Sequence, residues 1–170
     1  GGVGKTTLAS SIYMEKSRNF QGGCILENIR GEPGKKCNLR KLQKIMLLRV
    51  SNTKVEVQSV NEGKLLIRKM LCLRRVLIIL DDVDHIDQLD ALAGSPKWFG
   101  NGSRIIITTR NEQLLLSHKV DHVCPVTLLS RKEAIELFNK NAHNKDMHIK
   151  DYDSLSSRVV SYAAGLPLAL

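Results

Sequence analysis

Apolar residues fall along this chain in two rhythms. In Val76-Leu77-Ile78-Ile79-Leu80 and Ile105-Ile106-Ile107 every position is apolar. A strand with no polar alternation is buried on both faces, which marks a parallel sheet. Elsewhere apolar residues recur every three or four positions, as in Leu8, Ala9, Ile12 and Tyr13, or Leu66, Ile67, Met70 and Leu71. That spacing predicts helices with one buried stripe.

Taken in order, a first helix is expected over about Lys5–Ser17, then a short strand at Cys24-Ile25-Leu26-Glu27 after two glycines. A loop covers Gly31–Lys36, and Asn38 caps a helix carrying Leu39, Leu42, Ile45, Met46 and Val50 on one side. Ser59 and Glu62 have capping-box spacing at the head of the next helix. The apolar strand 76–80 ends in Asp81-Asp82. A short helix with Ile86, Leu89, Leu92 and Ala93 stops at Gly94-Ser95-Pro96. Gly100-Asn101-Gly102 turns into the strand Arg104–Thr108, which ends on Thr109-Arg110, and Asn111 caps another helix. His122–Val126 reads as a last strand, which Pro125 confines to an edge.

Beyond Thr127 only helices are expected. Ser130 and Glu133 repeat the capping-box spacing, with Ala134, Leu137 and Phe138 inward. Tyr152, Leu155, Val159, Tyr162 and Ala163 mark a further helix, stopped by Gly165, and Pro167 suits the first turn of the next. Strand–helix alternation followed by helices alone predicts an α/β domain over residues 1–127 and the start of a helical domain over 128–170.

The candidate chemistry begins at residue 1. Gly1, Gly2, Val3, Gly4, Lys5, Thr6 and Thr7 form a glycine-rich loop running into the first helix. Glycines let the backbone turn its N–H groups inward. Lys5 adds one ammonium, and the Thr6 hydroxyl suits a magnesium ion. Together with a helix N-terminus these make a polyphosphate site, and the stretch fits a P-loop. The pattern's first glycine falls ahead of Gly1, so the chain is expected to begin inside its own motif.

In an open parallel sheet ligands sit at the carboxyl ends of the strands. Asp81-Asp82 and Thr109-Arg110 both fall at such ends. Asp81 is the candidate metal carboxylate opposite Thr6, and Asp82 the candidate for polarising an attacking water. Arg110 is placed to sense or neutralise a terminal phosphate. The histidines, His85 included, have no partner at ligand spacing and read as surface residues.

Composition narrows the alternatives. The formal net charge is +9, which invites a nucleic-acid reading, but the basic residues are spread along the chain. Lys35, Lys36, Arg40, Lys41 and Lys44 form the densest group, and aromatics are only 4%, too few for a stacking platform. A solvated basic face that attracts an anionic nucleotide accounts for the charge, and nucleic acid is not the expected partner. No apolar run approaches the ~20 residues that span a membrane. Cys24, Cys37, Cys72 and Cys124 are far apart and form no CxxC, as for reduced thiols of a cytosolic chain. An Asn-Lys-x-Asp guanine signature is missing: Asn144-Lys145-Asp146 lacks the spacer. A Ser-Gly-Gly-Gln-like transporter signature and an arginine-rich kinase lid are missing too.

Four stretches in order resemble the motifs of the NB-ARC module of plant disease-resistance receptors. They are Gly1 to Thr7, Leu80-Asp81-Asp82-Val83-Asp84, Gly102 to Arg110, and Gly165-Leu166-Pro167-Leu168-Ala169-Leu170. These receptors carry leucine-rich repeats and belong to the STAND branch of AAA+-like P-loop ATPases. Leu26-Glu27-Asn28-Ile29-Arg30, and Asp84 closing the acidic motif, are similar to the subclass with an N-terminal TIR domain.

The resemblance implies ATP or ADP with Mg2+, held by Lys5 and Thr6 with Asp81 as metal residue. Asp82 becomes the catalytic carboxylate and Arg110 the sensor. Pro167 packs on the adenine from the helical part, which becomes the start of the ARC1 subdomain. The implied fold is a parallel sheet flanked by helices that lacks its first central strand. That strand belongs between the one ending at Arg110 and the edge strand near Val123, so a gap is expected there. The implied function is a molecular switch, ADP-bound at rest and ATP-bound when active, reset by slow hydrolysis. Its partners are the TIR and leucine-rich-repeat domains of the same receptor, with a homo-oligomer when active, in the cytoplasm or nucleus. The alternative is a P-loop motor coupling rapid turnover to work on nucleic acid.

Overall fold

In a computed structural model, which describes residues 2–31, 37–142 and 152–169, three parallel strands are covered by helices. The strands are β1 (Gly22–Leu26), β2 (Val76–Val83) and β3 (Arg104–Thr109), in the order β1-β2-β3. Five helices intersperse them: α1 (Lys5–Lys16), α2 (Leu39–Ser51), α3 (Val60–Leu71), α4 (Ile86–Ala93) and α5 (Glu112–Ser117). Two more follow, α6 (Arg131–Ala142) and α7 (Tyr152–Ala163). The chain divides into two compact units. One is Thr6–Val123; the other joins Gly1–Lys5 to Cys124–Leu170.

Within Thr6–Val123 the period of two along the strands decides the layers. Leu77 and Ile79 of β2, Ile25 of β1 and Ile106 of β3 pack with Ala9 and Tyr13 of α1. The alternate residues, Ile78 and Leu80 of β2, Cys24 and Leu26 of β1 and Ile105 and Ile107 of β3, pack with α2, α3 and α4. Burial raises the Cys24 thiol to about 12, so it stays protonated. β2 is buried on both sides, as its unbroken apolar run requires.

The expected helix caps form. Asn38 Oδ1 accepts from Lys41 N, and Asn111 Oδ1 accepts from Gln113 N. Ser130 and Glu133 bond reciprocally. At α3 only half of the box closes. Ser59 Oγ accepts from Glu62 N, but the Glu62 carboxylate turns back to Gln58 N instead of Ser59 N.

Two expectations need correction. His122–Val126 is not a strand. An edge strand exists only through a ladder partner, and among the described residues the sheet ends at β3. The histidines are not all surface groups. His85 is exposed as expected; its Nδ1 accepts from Asp87 N and caps α4, while Gln88 reaches back to the backbone of His85. His118 is largely buried, with Nε2 3.0 Å from Ala93 O. In the second unit, α6 and α7 bury Ala134, Val160 and Ala163. Residues 32–36, the side chains of Tyr152 and Leu155, Asn144-Lys145-Asp146 and Leu170 lie outside the described residues.

Gln43 ties the helical layer together. It is fully buried on α2, and Nε2 donates to Val60 O at 3.0 Å and to Ala91 O at 2.9 Å. Gly63 on α3 leaves the room: a Cβ there would lie 2.0 Å from Gln43 Oε1. Alanine is normally better than glycine inside a helix by ~1 kcal/mol. Here Gly63→Ala is expected to lower stability by ~1–3 kcal/mol, because the amide must leave two carbonyls unpaired. Urea unfolding measures this; an unchanged or raised midpoint would show that Gln43 repacks freely.

Candidate nucleotide site

The first unit of the site is the loop itself. Gly2 and Gly4 have φ of +84° and +92°, a region that side chains strain to enter. Their turns deliver the chain into α1 at Lys5, and α1 has no acidic residue in its first turn to compete for an anion. Gly2 O accepts from Leu168 N at 3.3 Å, and a Cβ on Gly2 would lie 2.9 Å from that of Leu168. A Cβ on Gly4 would lie 4.0 Å from Pro167 Cγ. The loop glycines and Pro167 therefore lie close together. Pro167 opens a short 3-10 turn, as its fixed φ favours. Gly165 has φ +76° and ends the segment before it. Val3 and Lys5 are half-buried and Thr7 is exposed; Gly1 lies outside the described residues.

The second group lies in Thr6–Val123, where parity brings it together. Asp81 follows Leu77 and Ile79 at a spacing of two, so its carboxylate faces α1. Thr6 Oγ1 donates to Asp81 Oδ1 at 2.8 Å. Thr108 follows Ile106 at the same spacing, and its Oγ1 donates to the same oxygen at 2.6 Å. Asp81 is only 6% exposed, and a buried carboxylate needs such donors.

Strict alternation would send Asp82 to the opposite face. A bulge intervenes: Leu80 pairs with Ile107 and Val83 with Thr109, so two residues of β2 oppose Thr108 alone. Asp82 takes φ +52°, a conformation that costs a non-glycine residue ~1–3 kcal/mol. Hydrogen bonds hold it on both sides: Asp82 N donates to Thr108 Oγ1 at 2.9 Å, and Asp82 O accepts from Arg30 N at 3.1 Å. Ile29 N donates to Asp81 O at 2.9 Å. The Asp82 carboxylate then lies 3.4 Å from Arg110 Nε, a half-exposed pair of modest strength. Both carboxylates are thus inside β2, two positions deeper than an end at Leu80 implies.

Among the sequence-assigned residues, Thr6, Asp81, Asp82 and Arg110 meet in one cluster. Thr108 was missed, although its place two residues after Ile106 on the neighbouring strand was the available signal. The donor set suits magnesium. Thr6 and Asp81 offer hard oxygens 2.8 Å apart. Magnesium characteristically keeps several waters and takes few protein ligands beside phosphate oxygens.

Glycine turns at a helix start and hard oxygens at the carboxyl end of a parallel strand define a P-loop nucleotide-binding domain of the α/β class. Comparison narrows the class: residues 1–148 match the NB-ARC domain, and the chain belongs to that family. It is 41% identical over its whole length to TMV resistance protein N of Nicotiana glutinosa, covering 15% of that protein. It is 43% identical over its whole length to disease resistance protein RPV1 of Vitis rotundifolia, covering 12% of it. The chain thus spans less than a fifth of these relatives.

Lys5 is the only ammonium within the glycine loop. Lys5→Ala is expected to weaken ADP and ATP binding at least ~100-fold, as loss of one charge-assisted contact to a phosphate allows. Calorimetric titration checks it, and wild-type affinity in the variant would remove the loop from the site.

Proposed function

We propose that this domain is the ADP/ATP switch of an intracellular plant immune receptor: ADP-bound at rest, ATP-bound when active, and reset by slow hydrolysis. The observation that carries the reading is the division of the adjacent carboxylates, Asp81 on Thr6 and Asp82 on Arg110. The disease-resistance names of the relatives supply the biological setting.

Each group then has a task. The loop amides, Lys5 and the start of α1 bind the phosphates. Thr6 and Asp81 would hold Mg2+, which would supply neutralisation of the phosphate charge when bound. Asp82 orients the attacking water, and Arg110 senses the terminal phosphate. With Asp82 and Arg110 paired, the carboxylate is occupied. A terminal phosphate competes for the guanidinium and frees Asp82, whereas a diphosphate leaves the pair closed. That difference is what a switch needs: a ligand moves an equilibrium only by its differential affinity for two states.

The nucleotide domain covers residues 1–127, and the helical ARC1 portion begins at 128 and covers the adenine through Pro167. TIR and leucine-rich-repeat domains of the same receptor are its partners, with self-association in the active state, in the cytoplasm or nucleus.

The two carboxylates should separate by mutation. Asp81→Ala is expected to lower magnesium-dependent nucleotide affinity ~10–100-fold. Asp82→Ala should leave binding near wild type and slow hydrolysis ~100-fold or more. Titrations with and without Mg2+, beside single-turnover hydrolysis, read both. Equal magnesium dependence in the two variants contradicts the division. Turnover raised many-fold by added DNA or RNA would favour a motor instead.

A further inference from the structure

We propose that Thr108 is a positioning residue that holds Asp81 and Asp82 in register, so that one hydroxyl sets the metal carboxylate and the water-orienting residue together. The role of that placement rests on the nucleotide reading above; the placement itself rests on geometry.

The bulge sets two residues of β2 against one of β3, and that one is Thr108. A threonine hydroxyl has one proton to give and lone pairs to receive. Thr108 uses both: it donates to Asp81 Oδ1 at 2.6 Å and accepts from Asp82 N at 2.9 Å. It is 7% exposed, so water is a poor substitute for either bond. Without the hydroxyl, Asp81 Oδ1 keeps a single donor among the described residues, Thr6, on an exposed part of α1. Asp82 N loses its acceptor at the residue whose φ is +52°. A relaxed bulge would return Asp82 towards the opposite face, away from Arg110.

Thr109 is the natural control. Its Oγ1 donates to Val83 O at 2.7 Å across the same pair of strands and touches neither carboxylate. Valine replaces either threonine with similar volume and the same β-branched preference for a strand.

The test compares the full chain as wild type, Thr108→Val, Thr108→Ser and Thr109→Val. Amide hydrogen exchange is read without metal or nucleotide, and ADP is titrated with Mg2+ or with EDTA. In Thr108→Val the Asp82 amide is expected to exchange about tenfold faster. ADP affinity should fall about tenfold in Mg2+ and stay within about twofold in EDTA, the effect expected of a residue behind a metal ligand. Thr108→Ser and Thr109→Val should behave as wild type. Unchanged Asp82 exchange with unchanged magnesium dependence overturns the proposal. So does an equal loss of affinity with and without metal, which marks a merely structural residue. If Thr108→Val does not fold, NMR of the wild type decides: a slowly exchanging Thr108 hydroxyl proton close to the Asp82 amide proton supports the proposal, and its absence overturns it. A wild type that binds no ADP removes the nucleotide reading and the magnesium effect with it, while the exchange comparison still judges the placement.

Discussion

A strand buried on both faces has no place for a charge except at its end, and there only if the charge is compensated. β2 meets this constraint with hydroxyls. Its apolar run is covered by α1 on one side and by α2, α3 and α4 on the other. Where the run stops, Asp81 enters the α1 layer as a carboxylate and accepts from Thr6 and Thr108. The position of α1, the register of β3 and the placement of the Asp81 carboxylate are therefore one problem with one solution.

The bulge is the second half of that solution. Without it, two consecutive carboxylates in a strand point to opposite sides of the sheet. The extra residue at Asp82 moves its carboxylate to Arg110, and the strain of a left-handed aspartate is offset by bonds to Thr108 and Arg30. Strained non-glycine residues gather at sites where a side chain must be aimed, and Asp82 fits that pattern. The helices behind the sheet resist relaxation. Gln43 bridges α2 to the backbone of α3 and α4, and Gln88 with His85 fixes the start of α4 just after β2.

Much of this was legible because it is local. The apolar runs of β2 and β3 announced a parallel sheet, and glycines, lysine and threonine in one register announced a phosphate loop. The caps Asn38, Asn111 and Ser130 were read from side-chain type and spacing alone, since a cap is made within four residues of itself. Four ordered motifs carried the family, whose match covers residues 1–148.

Tertiary structure decided what depends on counting residues across two strands. Whether Asp82 follows Asp81 to the other face turns on a single extra residue opposite Thr108, and no local pattern encodes it. His122–Val126 has the composition of a strand, but a strand is a property of a pair, and among the described residues it has no ladder partner. The Glu62 carboxylate accepts from Gln58 N and not from Ser59 N, a partner that capping-box spacing does not specify. Gly63 reads in sequence as a weak spot in α3; only the packed structure shows that its missing side chain is the space Gln43 occupies. Residue type and period determined the elements and the chemistry available. Non-local register decided which of those groups meet, because a hydrogen bond between strands depends on both chains of residues at once.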